Sequence, residues 1–116
     1  MKNVTIQELE ILFEIEVMED EYLQDLSKEE LKGEAASFLY RNNQLFRDIT
    51  DEIVDVEEEL EQVENDLIEI DENEDLYGDE KERNKKRLHK RVRIKILQRR
   101  DKELLNKLNK MINYMI

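Results

Sequence analysis

Between Lys81 and Arg100 the chain places eleven bases and a single acid. On one helix such a density would track a row of phosphates and release counterions, giving binding that weakens steeply with salt. Lys86, Arg87, Arg91 and Arg93 are the residues that would make those contacts. Upstream the sign reverses: residues 1–80 hold 28 acids and 5 bases, whereas residues 81–116 hold 3 acids and 14 bases. Neighbouring carboxylates such as Glu58 and Glu59 have the chemistry of general acids and bases, and His89 is the one histidine. Neither comes with the groups a reaction requires. The chain has no cysteine, no glycine loop for phosphates, no nucleophile elbow and no zinc-hydrolase motif. A tetrahedral zinc site cannot be assembled from one histidine. His89 stands within the basic run and reads as a surface residue. A non-enzymatic protein without a cofactor is expected.

One acidic stretch has ligand spacing. Asp71, Asn73, Asp75, Asp79 and Glu82 fall at the first, third, fifth, ninth and twelfth positions of twelve residues, with the Tyr77 carbonyl at the seventh. Alternating oxygens closed by a distal Glu are what a hard cation needs. In this the stretch resembles the calcium loop of the EF-hand family, over 12 of 116 residues. Leu76 replaces the turn glycine at the sixth position and Gly78 the apolar residue at the eighth. The resemblance implies a calcium site with those five side chains as ligands. The residues themselves read as a solvated acidic turn, with no metal expected. The basic run and the spaced leucines after it also loosely resemble the layout of basic-zipper proteins, without their alanine pair and with fewer than three heptads.

The elements that position these groups follow from periodicity. The chain has 116 residues, a net charge of −12, 43% charged residues, two glycines and no proline. Sandwiches, barrels and doubly wound folds need more turns than this composition supplies. The longest wholly apolar run is Ile11-Leu12-Phe13, so neither a membrane span nor a signal-peptide core is expected, and a cytoplasmic location is. Leu39, Phe46, Ile53, Leu60 and Leu67 recur every seven residues, interleaved with Ala35, Asn42, Ile49, Val56, Val63 and Ile70. That alternation of three and four is a coiled-coil seam. Ser27 and Glu30 form a capping box at its start. Unless Gly33 interrupts it, one rod of about 70 Å over residues 28–75 is expected.

The seam is flanked by Glu52, Glu59 and Asp66 on one side and by Glu57, Glu64 and Asp71 on the other. Two such helices side by side would repel, so this arm calls for a basic partner. Residues 80–116 offer one. Their seam is Ile94, Leu97, Leu104, Leu108, Met111 and Met115, with Asp101 in a core slot, and Lys86, Arg93, Arg100 and Lys107 form one flank. Leu88, Val92 and Ile96 suggest a shifted stripe upstream. Gly78 can end one helix and Asp79 can cap the next. The fold expected is all-α: a long antiparallel coiled-coil hairpin, acidic arm against basic arm, preceded by a short N-terminal helix. Within a single domain, residues 1–26 form an N-terminal amphipathic segment and residues 27–116 the hairpin, with its turn near 71–79.

In the N-terminal segment Thr5 and Glu8 form a second capping box, and Ile11, Ile15, Met18, Tyr22 and Leu26 share helical spacing. Ile11, Phe13, Ile15 and Val17 also alternate as in a strand. With no second strand to pair with, helix is the reading adopted. Seam burial worth about 1.5–3 kcal/mol per side chain faces an ordering cost of similar size. A bare hairpin therefore needs a third layer, from this segment or from a second copy, and a homo-oligomer, most simply a dimer, is expected.

Functionally the sequence reads as a small protein–protein interaction module, a regulator, inhibitor or adaptor of phage or low-GC bacterial type. Its acidic face, led by Glu52, Asp55, Glu58, Glu59, Asp66 and Glu69, would occupy a basic groove on another protein. Ile11, Phe13, Tyr22 and Phe38 are the candidate apolar anchors. Two alternatives are an oligomeric scaffold or secretion-type chaperone, and a nucleic-acid binder acting through residues 81–100.

Overall fold

The structure, a computed structural model, describes residues 4–73 and 78–116. Among these the chain is helical and free of strands: α1 (Ile6–Glu19), α2 (Glu21–Gln24), α3 (Lys28–Asn42), α4 (Gln44–Glu72) and α5 (Glu80–Met115). The N-cap half of each capping box is in place. Thr5 Oγ1 accepts from the Glu8 amide at 3.3 Å, and Ser27 Oγ from the Glu30 amide at 3.2 Å, satisfying donors that a helix start leaves bare. Asp20 does the same for α2 through the Tyr22 amide, at 2.9 Å. The helices form two compact units. One comprises residues up to Glu52 together with Leu104–Ile116, and the other Ile53–Glu103.

In the first unit the expected rod is broken, and the break lies at Asn43 rather than Gly33. Gly33 sits exposed and unperturbed inside α3. Asn43 ends α3 by donating its amide to the Leu39 carbonyl at 2.8 Å, and starts α4 by accepting the Phe46 amide on Oδ1 at 2.9 Å. The Arg47 guanidinium reaches back to the Tyr40 carbonyl, at 2.9 Å from Nη2, covering an acceptor that the end of α3 leaves open. Asn43 is the buried polar residue of the core, and its Nδ2 donates to the Val4 carbonyl at 3.0 Å. The Val4 amide in turn donates to the Asn42 carbonyl at 3.2 Å. The break thus anchors the residues that lead into α1. It escapes the heptad reading because Leu39 and Phe46, seven apart, are both buried on either side of it.

α1 is a helix, so the strand alternation is not followed, but its buried face is not the stripe the sequence suggested. Leu9 and Phe13 are buried, with Ile6 and Val17 half-buried beside them. Ile11, Ile15, Met18 and Tyr22 face outward. Leu9 and Phe13 join Ala35, Leu39, Phe46 and Met115 in one core, ringed by Phe38, Leu108, Met111 and Ile112. The N-terminal segment is therefore a real packing layer. Glu10 lies beside Tyr114 near the C-terminal end of α5; its negative charge, followed by desolvation, pushes the phenol up from its ordinary value.

In the second unit α4 and α5 run antiparallel as a hairpin. Ile53, Val56, Val63 and Ile70 are buried, Leu60 and Leu67 half-buried, and α5 answers with Leu97 and Ile94. Upstream the α5 seam does not shift to Leu88, Val92 and Ile96. Half-buried Arg83, Arg87 and Lys90 continue the three–four spacing toward the turn, laying aliphatic stems along the seam. The three apolar residues are turned to solvent.

Gly78 has φ of 80° and Asp79 caps α5, accepting the Glu82 amide on Oδ1 at 2.9 Å. A side chain in that left-handed region costs about 1–2 kcal/mol. Gly78→Ala is expected to lower the urea midpoint by a corresponding amount while leaving helicity unchanged. A midpoint equal to wild type would show that the turn tolerates another conformation.

Candidate functional site

The side chains singled out by charge lie on α4 and α5 of the hairpin. Arg93 Nε donates to Glu59 at 3.0 Å, Lys90 to Asp66 at 3.2 Å and Arg87 to Asp71 at 2.6 Å. As the α4 number rises the α5 number falls, the signature of an antiparallel zipper between an acidic and a basic arm. Each pair is at least partly exposed, so each contributes well under about 1 kcal/mol and the set acts mainly on register. The Asp66 carboxyl is held below the usual carboxylate range, first by the Gln62 amide and then by Lys90.

This geometry divides the acidic residues. Glu59 and Asp66, two of the six proposed for the partner-binding face, are engaged by the chain's own bases, and half-buried Glu52 belongs to the first unit. Asp55, Glu58 and Glu69 are exposed and fall at three–four spacing on the side of α4 opposite the seam. Glu61 and Glu72, not singled out from sequence, are exposed as well. Between 53 and 72 the helix bears ten acids and no base. At 1.5 Å per residue that is one negative charge per about 3 Å, close to the roughly 3.4 Å spacing of charge along one strand of duplex DNA.

On the basic side Arg87 and Arg93 are committed to Asp71 and Glu59, and Lys86 and Arg91 have exposed side chains. Arg87 and Arg93, two of the residues named for phosphate contact, are thus already neutralised in cis. His89 is exposed beside a shallow groove lined by Asp66, Ile70, Lys86, Lys90 and Arg93.

Of the proposed apolar anchors, Ile11 and Tyr22 are 59% and 67% exposed. Phe13 and Phe38 are not available to a partner: Phe13 is buried and Phe38 half-buried against it, their ring centroids 5.4 Å apart. The two rings pack together because α1 and α3 share a core. Tyr40 instead lies on the outside, its hydroxyl donating to Asp51 and its ring under the Arg47 guanidinium.

The candidate calcium loop is only partly within view. Asp75 and Tyr77 lie outside the described residues. Asp71 is held by Arg87 and Asp79 by the start of α5. Among the described residues no group of three or more acids or histidines is placed to hold a metal ion.

Asp101 sits half-buried in the seam, and its Oδ1 is buried without a hydrogen-bond partner. Glu57 lies beside it; desolvation, then the Asp101 charge and a hydrogen bond to it, raise the Glu57 carboxyl above its usual range. Among the described residues no helix is long and apolar enough to cross a membrane. In comparisons with protein families, with curated proteins and with solved structures, nothing matches this chain.

Proposed function

We propose that this chain is a non-enzymatic interaction protein that uses the outward acids of α4 to occupy a basic groove on another protein, as a small regulator or inhibitor. The observation that carries this reading is the acidity of residues 53–72, uninterrupted by any base, on a helix packed along its seam, with Asp55, Glu58 and Glu69 directed away from α5. A groove built to hold a phosphate backbone meets there a preorganised row of carboxylates on a stretch that carries no base to repel it. The basic arm supports the helix from behind through Glu59, Asp66 and Asp71. That leaves nucleic-acid binding through residues 81–100 the weaker reading.

The test is reversal of the outward row, Asp55→Lys, Glu58→Lys and Glu69→Lys together. A photo-crosslinker at Glu61 would identify the partner of the wild-type chain, and anisotropy of a labelled duplex would report whether that partner's nucleic acid is displaced. The triple variant is expected to keep its helicity and to lose at least tenfold in displacement, with wild-type displacement weakening as salt rises. Equal displacement by the variant would remove α4 from the role. A second reading, an oligomeric scaffold or chaperone, draws on the exposed apolar side of α1 and predicts association that the triple reversal leaves intact.

A further inference from the structure

Two helix faces carry apolar side chains in solvent, and they match. On α1, Ile11, Leu12, Ile15 and Met18 are 46–70% exposed along the side opposite Leu9 and Phe13. On α5, Leu88, Val92 and Ile96 are 48–59% exposed along the side opposite Ile94 and Leu97. A helix apolar on both sides is a helix with two neighbours, and α1 has a core on one side. The α5 face is the more telling. Its seam toward the turn is filled by Arg83, Arg87 and Lys90, so the apolar residues that the seam would have used are presented outward.

Their surroundings have opposite sign. Residues 4–27 contain eight acids and no base, and Glu8, Glu14 and Glu19 border the α1 stripe, all exposed. Lys85, Arg91, Lys95 and Arg99 border the α5 stripe, also exposed. The stripes agree in length, about 10 Å from Ile11 to Met18 and about 12 Å from Leu88 to Ile96 at 1.5 Å per residue.

We infer that the outer face of α1 packs on the back of α5 of a second copy of this chain. Apolar side chains meet along the stripes and the acids of one copy border the bases of the other. Each copy carries both faces, so each copy can offer one to its neighbour and accept the other. The contact uses neither Asp55, Glu58 nor Glu69, so it stands or falls apart from the proposed partner surface.

Light-scattering mass of the full chain reads the outcome. The wild type is expected above the 14.1 kDa of one copy. Ile15→Asp and Val92→Glu are each expected to weaken association at least tenfold while circular dichroism holds its helical signal, because both positions are exposed in the single chain. Charge exchange makes the pairing specific. Glu8→Lys/Glu14→Lys gives a chain basic on both faces, and Lys95→Glu/Arg99→Glu one acidic on both. Each alone is expected to be monomeric, and an equimolar mixture to recover the wild-type mass. A wild type of 14.1 kDa at high concentration would overturn the inference, including the case in which α1 takes a basic peptide of another protein. So would an oligomer that Ile15→Asp and Val92→Glu leave unchanged, or charge variants that do not restore each other.

Discussion

Leu39→Ala is expected to remove most of the stability of the first unit. Leu39 is fully buried at the centre of a core that includes Leu9, Phe13, Ala35, Phe46 and Met115. Truncating such a side chain loses its transfer free energy and leaves a cavity, together about 2–5 kcal/mol. A chain of this size has about 5–15 kcal/mol in total, so the loss takes a large share. The expected result is a urea midpoint far below wild type, with Leu45→Ala, 59% exposed, close to wild type as the control. Position decides the magnitude as well as burial. Leu39 lies in the last turn of α3, next to the Asn43 break, where core packing and the hydrogen bonds that end α3 and begin α4 are made by the same few residues. A Leu39→Ala midpoint within the range of Leu45→Ala would mean that α1 and α3 are not held by this core.

The seam of α4 was legible in the sequence because little competes with it: the side of the helix away from Val56, Val63 and Ile70 is mostly charged or polar, with Val54 and Ile68 as exposed apolar exceptions. The acidic-to-basic pairing was legible for the same reason, since six acidic flanking positions leave no other complement within the chain. α1 was harder. A helix apolar all round gives the right element and the wrong face, because periodicity selects a side only when one side is polar. Leu9 and Phe13 win because the entry through Val4, tied to Asn42 and Asn43, sets which side meets α3. The break at Asn43 was hidden by the constant spacing from Leu39 to Phe46, which a helix–cap–helix passage preserves as well as a continuous helix does. At the start of α5, an eye for leucines finds Leu88, Val92 and Ile96, whereas long basic side chains fill the seam with their methylenes. Of the acids proposed for a partner, the row is visible in the sequence; only the structure separates Glu59 and Asp66, turned to the basic arm, from Asp55, Glu58 and Glu69.

Asp101→Leu is expected to stabilise the hairpin. Asp101 occupies the seam slot between Leu97 and Leu104 with a buried oxygen that has no hydrogen-bond partner. An unsatisfied buried polar group costs about 1–3 kcal/mol, and an apolar side chain in the slot removes that cost and adds burial. The expected order of urea midpoints is Asp101→Leu above Asp101→Asn above wild type, because Asn removes the charge but keeps a polar group in the seam. The pH dependence carries a second signature. Glu57, desolvated and facing the Asp101 charge, has its carboxyl raised. Its contribution is therefore complete below the unfolded value and lost as pH rises through the folded one. Asp66, held down by Gln62 and Lys90, has the opposite sign: its contribution is present above the unfolded value and lost as pH falls through the folded one. In the wild type the two oppose each other across the acidic range. Asp101→Leu removes the charge and the hydrogen bond at Glu57, so the Glu57 gain on acidification shrinks while the Asp66 contribution is unchanged. The lead of the variant over the wild type is thus expected to be largest at neutral pH and to narrow on mild acidification. A midpoint below wild type at neutral pH would sink this account. Asp101 would then be fixing the register of the two arms, in which the ion pairs from Glu59, Asp66 and Asp71 alone would not suffice.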